Sequence, residues 1–107
     1  MQTTIKALVK KPGKEPYETF IDNQSLEDFC KLMGAQYIEF YLINREKKIG
    51  CLIDEEGKLK YLDDNFKTPR DIVCGTSIFV SDGGEDFKSL NQSQIRWIKK
   101  YLKENSL

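Results

Sequence analysis

The stretch QYIEFYLINREKKIGCLIDEEGK, residues 36–58, holds the densest alternation of apolar runs and turns in the chain. Tyr37, Ile38, Phe40, Tyr41, Leu42 and Ile43 place apolar groups on both faces, as in a central strand covered on both sides. Asn44 to Lys47 is polar and reads as a turn. From Lys48 to Asp54 the pattern resumes, with Ile49, Cys51 and Ile53 on one face. Asp54-Glu55-Glu56-Gly57-Lys58 reads as a second turn, in which Gly57 is expected to supply positive φ. Strands joined by turns this short pair antiparallel, because a parallel pair needs a crossover of a dozen residues or more.

The flanks extend the same logic. Ile5, Ala7 and Val9 alternate with Lys6 and Lys10, which predicts a strand with one solvated face. Pro12, Gly13 and Pro16 punctuate a loop, and Tyr17 to Ile21 reads as a returning strand. A helix of about ten residues is expected from Ser25, capped by its hydroxyl with Asp28 as acidic partner. Its apolar side is Leu26, Phe29, Cys30 and Met33, and Gly34 is the left-handed stop. Beyond the central stretch, Leu59 to Leu62 is expected as a brief strand and Asp63 to Arg70 as irregular chain. Asp71 to Ser81 is expected as one long strand, with Gly75 at a bulge or close approach. Phe87 to Leu90 leads into a last helix with Asn91 as N-cap and Gln94 at the reciprocal position. Along 92–103, Ile95, Trp97, Ile98, Tyr101 and Leu102 fall on one arc, while Arg96, Lys99, Lys100 and Lys103 gather opposite. The order is β-β-α-β-β-(β)-β-α. It predicts a single α+β domain over residues 1–107, one mostly antiparallel sheet of about five strands with two helices packed on it.

Composition limits what such a domain can do. With 17 basic and 17 acidic residues the net charge is zero, which argues against a strongly basic nucleic-acid binder or a strongly acidic mimic at the level of the whole chain. No apolar run approaches the roughly 20 residues that span a bilayer, and 1–11 has no signal-peptide pattern; a cytoplasmic protein is expected. Cys30, Cys51 and Cys74 are odd in number and widely spaced, so they read as buried thiols rather than a disulfide framework.

Five segments in order carry a resemblance: Gly13-Lys14-Glu15-Pro16 with Ile21-Asp22; Leu26 through Tyr37-Ile38-Glu39; Asp54-Glu55-Glu56-Gly57-Lys58; Asp71-Ile72-Val73-Cys74-Gly75-Thr76; and Phe87-Lys88-Ser89-Leu90. Together they resemble domain-of-unknown-function family 3846, small proteins found mainly on phages, plasmids and integrated elements. Gly34-Ala35-Gln36 stands where the family tends to have paired glycines, and 61–67 lacks its proline-rich segment. The family brings no named catalytic residue. The resemblance implies a mobile-element setting, in which small proteins often act on host machinery, including defence systems.

Chemistry by side chain is sparse. There is no histidine, so Cys–His and Ser–His catalysis is excluded within the chain, and the three cysteines lack zinc-ligand spacing. No phosphate-cradling glycine motif is present, and neither a cofactor nor a metal is expected. What remains is surface. Asp54, Glu55, Glu56, Asp63 and Asp64 form an acidic stretch suited to a basic groove on a partner. Trp97 and Tyr101, spaced i, i+4, are core residues or, if exposed, interface anchors. The expected function is a non-enzymatic, anti-CRISPR-like inhibitor that binds a host protein such as a defence nuclease or effector complex. The alternative is a small nucleic-acid-binding or regulatory domain contacting phosphates through Arg96, Lys99, Lys100 and Lys103, joined by Lys10, Lys11 and Lys14.

Overall fold

The computed structural model describes residues 4–22 and 26–107. The elements are β1 (Thr4–Lys10), β2 (Tyr17–Asp22), α1 (Leu26–Met33), β3 (Ile38–Asn44), β4 (Ile49–Asp54), β5 (Asp64–Lys67), β6 (Ile72–Cys74), β7 (Ser77–Asp82), β8 (Phe87–Lys88) and α2 (Gln92–Asn105). The main sheet runs β2-β1-β7-β4-β3, with β8 paired to the end of β7, and every pairing is antiparallel. The fold is therefore α+β, as expected. A separate two-stranded sheet, β5-β6, lies outside it.

Strand alternation divides the core into two layers. Ile5, Ala7, Val9, Leu52, Ile78 and Val80 face one way and pack with Phe29 and Met33 of α1. Leu8, Ile49, Cys51 and Phe79 face the other way and meet Phe66, Val73 and Ile95, Ile98 and Leu102 of α2. Both faces of β1, β4 and β7 are covered, so these strands carry apolar residues at nearly every position.

The helix ends follow their sequence signals. Gly34 stands at φ 67°, with Ala35 N–H donating to the Cys30 carbonyl at 2.9 Å and Gly34 N–H to that of Lys31 at 3.2 Å, a Schellman stop. The Ser25 cap expected for this helix lies outside the described residues. Asn91 and Gln94 form the expected reciprocal box on α2, each side chain accepting from the other's backbone N–H. Gln94 is also buried, and its amide nitrogen donates to the Lys47 carbonyl and to Ser81 Oγ, tying α2 to the β3–β4 turn and to β7.

Four local expectations need correction. β3 is an edge strand, not a central one; its hydrophobicity on both faces serves a half-covered strand whose Phe40 ring stacks on Phe87 with centroids 5.4 Å apart. Residues 59–62 make turns rather than a strand. The stretch expected to be irregular contains β5. The single strand expected at 71–81 is two, because Gly75 at φ 85° turns the chain from the small sheet into the main one.

Candidate functional site

The connection from β4 to β5 is a tight knot of turns. Asp54 ends β4 with its side chain inward, only 4% of the residue exposed. One carboxylate oxygen accepts from Glu56 N–H at 2.9 Å and the other pairs with Lys60 Nζ at 2.6 Å. Backbone bonds from Gly57 to Asp54, Lys60 to Glu56, Tyr61 to Lys58 and Leu62 to Gly57 then wind the segment on itself. Gly57 is not the positive-φ residue expected from the sequence. A Cβ there would meet the Cys74 carbonyl oxygen at 2.7 Å, so glycine is needed for close approach to β6. Positive φ falls instead on Tyr61, at 57°.

This winding pushes two large apolar side chains into solvent. Leu59 is 77% exposed and Tyr61 93%. A bulky residue in the left-handed region costs about 1–2 kcal/mol. Tyr61 offsets that with no burial of its own, the kind of local strain that collects at functional positions. Glu55, Asp63 and Asp64 are exposed around it and Glu56 is half-buried. The acidic stretch named from sequence thus lies along one wound segment, with Asp54 inside it as the turn's internal anchor and with Lys58 and Lys60 exposed between its two halves. Sequence reasoning missed Leu59 and Tyr61. The signal was present as two apolar residues in a lysine- and aspartate-rich segment without strand or helix period.

A cavity of about 170 Å³ lies beside the tip, lined by residues that include Leu59, Tyr41, Ile53, Arg70, Asp71 and Cys74. Four of its charged residues form two ion pairs. Arg70 binds Glu39 at 2.9 Å and lies over the Tyr41 ring, while Lys58 pairs with Asp71. The Lys58 contact holds the Asp71 carboxyl below its ordinary range, and the Glu39 bond holds the Arg70 guanidinium above its own. Cys74 Sγ donates to Asp64 Oδ1 at 3.5 Å, and burial raises its thiol pKa. Among the described residues no group of three or more His, Cys, Asp or Glu side chains is placed to hold a metal ion, and no helix is long and apolar enough to cross a membrane.

The second surface lies along α2. Trp97 and Tyr101 stack at 5.0 Å between centroids and pack half-buried against the core, with the Tyr101 hydroxyl donating to the Lys67 carbonyl at 2.7 Å. They brace the helix over β5. Arg96, Lys99, Lys100 and Lys103 are exposed. Lys99 and Lys103 face the β1–β2 loop across a groove of about 670 Å³ that Lys10 and Lys14 also line. Lys10 is 3% exposed. Its ammonium donates to the Lys11 carbonyl at 2.9 Å and to Asn65 Oδ1 at 3.0 Å, and burial lowers its pKa.

The sheet has two open margins. Among the described residues β2 and β3 each have one strand neighbour, and Tyr17 and Phe20 on β2 and Tyr37 beside β3 are exposed.

A family model described as Domain of unknown function (DUF3846) matches residues 5–104, in keeping with the five segments noted above. No curated protein and no solved structure matches the chain.

Proposed function

The chain belongs to the DUF3846 family, and we propose that it is a non-enzymatic protein of a phage-type mobile element that binds a host protein and blocks it. The observation that carries this is the tip: Leu59 and Tyr61 held in solvent on a constrained turn, in a segment that also exposes Glu55, Asp63 and Asp64 and the ion-paired Lys58 and Lys60. An apolar centre with a polar, charged rim is the usual anatomy of a protein interface, and tyrosine is enriched among residues that dominate binding energy. The turn is knotted by its own hydrogen bonds, so little ordering entropy remains to be lost on binding. The acidic rim complements a basic surface, the kind that nucleic-acid-processing proteins present to their substrates. A defence nuclease or effector complex in the bacterial cytoplasm is therefore the partner class to test, and occlusion of its nucleic-acid groove is the inhibitory mechanism.

The test is binding of the purified chain to purified defence effector complexes. Retention at micromolar concentration, with an affinity loss of tenfold or more in Tyr61→Ala and Leu59→Asp, supports the proposal; truncation of an interface anchor costs about 2 kcal/mol or more. Failure of every effector tested to bind, or equal binding by both variants, overturns it.

A further inference from the structure

We propose that the groove between the β1–β2 loop and the C-terminal half of α2 is a binding site for consecutive phosphate groups, with Lys14, Lys99 and Lys103 as its contacting cations and Lys10 as a fixed positive charge in its wall. This surface is separate from the tip, and the proposal stands or falls independently of it.

The groove is large enough for a ligand. Its volume of about 670 Å³ lies within the range of small-molecule sites, and its wall carries four lysines against one glutamate, Glu15. Among the described residues, three of its cations also form no ion pair. Lys99 and Lys103 sit at i, i+4 on one helix face, where like charges repel. The ion pairs found among the described residues join Lys6 to Glu18, Lys31 to Glu27, Lys58 to Asp71, Lys60 to Asp54 and Arg70 to Glu39, and none uses Lys14, Lys99 or Lys103. A protein of zero net charge has thus set four lysines around one concave face with Glu15 as the acidic side chain in the lining.

The wall is built rather than incidental. Lys10 ends β1, an interior strand of the sheet, and its ammonium is held by two carbonyl-type oxygens, of Lys11 and Asn65. An ammonium has three donors, and these two bonds account for two. Its charge is set in a low-dielectric wall, where it acts on a bound anion with less screening than a surface lysine would. Across from it the loop is constrained by Pro12 and by the Lys14 N–H bond to the Lys11 carbonyl at 3.1 Å, with Gly13 at φ 71° permitting the turn. The site therefore sets cations from a strand, a constrained loop and a helix around one cavity. Such an array suits a linear anion carrying several charges, as a polyphosphate tail or the backbone of a single strand does.

Two probes distinguish those sources: inorganic triphosphate, and a labelled single-stranded oligodeoxynucleotide of about 20 nucleotides. Both are titrated against wild type, the groove double variant Lys99→Glu/Lys103→Glu, and a control double variant Arg96→Glu/Lys100→Glu on the same helix outside the groove lining. Binding at low salt is expected for at least one probe. The groove variant should lose tenfold or more, with a salt slope shallower by about one unit per lysine, and the control should stay within about threefold. Triphosphate binding alone assigns a free polyphosphate; oligonucleotide binding resistant to triphosphate assigns a strand. If the groove variant melts abnormally, Lys14→Glu on the loop replaces it. No binding of either probe at 50 mM salt or below, or a control loss as large as that of the groove variant, overturns the site.

Discussion

Tyr61 stands at φ 57°, which raises the free energy of the folded chain, and its ring, exposed in solvent, supplies no burial to offset that. Glycine takes this conformation freely. Tyr61→Gly is therefore expected to raise stability by about 0.5–1 kcal/mol, read by chemical denaturation, while weakening partner binding. A loss of stability would show that the ring is held by the protein after all. Cys51 makes a contrasting case. Burial pushes its thiol up to about 12 from an ordinary 9.0. The native state thus keeps a proton that the unfolded chain loses above pH 9. The contribution is complete below pH 9 and disappears as pH rises from 9 through about 12, reaching about 4 kcal/mol by linkage. Denaturation midpoints should fall over that window, and Cys51→Ala should remove this part of the fall. An identical pH dependence in the variant would refute the assignment.

Elements meet through glycine as well as through side chains. Gly50 on β4 has no side chain, and Phe40 of β3 lies across it; a Cβ there would come within 2.2 Å of the ring. The same ring stacks on Phe87 of β8. Three strands are thus joined by one aromatic laid over one glycine, a known device for pinning an edge. Gly50→Ala should displace the ring and cost about 1–3 kcal/mol, measured as a lowered melting temperature with a changed near-ultraviolet circular dichroism signal. Unchanged melting would mean the edge can repack. Sequence patterns served well for elements whose signals are local. The Asn91 and Gln94 box, the Gly34 stop and the β3–β4 hairpin were all legible, because each depends on residues a few positions apart. The break at Gly75 was not, since 71–81 reads as one apolar run until a neighbouring sheet claims its first half.

The molecule as a whole is a sheet covered on both faces, with a small second sheet clamped to it by Asn65. That fully buried side chain donates to the Lys10 and Gly75 carbonyls and accepts from the Lys10 ammonium, while its backbone carbonyl accepts from Leu107 N–H. Asn65→Leu should cost about 3–5 kcal/mol, because it leaves a buried cation and two buried carbonyls short of partners. Pairing it with Lys10→Met should restore part of the loss, and strict additivity of the two changes in a denaturation cycle would refute the coupling. The sequence by itself determined the α+β class, the antiparallel hairpins, both helix faces and the family, since alternation, capping residues and turn glycines act over short spans of chain. It also named the acidic stretch and the basic helix. Only the tertiary structure decided that Asp54 turns inward, that Leu59 and Tyr61 turn outward, and that Lys10 and Lys14 face Lys99 and Lys103 across one groove. Those outcomes follow from which strand lies beside which and how the chain packs between them, and contacts between residues some 85 positions apart leave no periodic trace in the order of side chains.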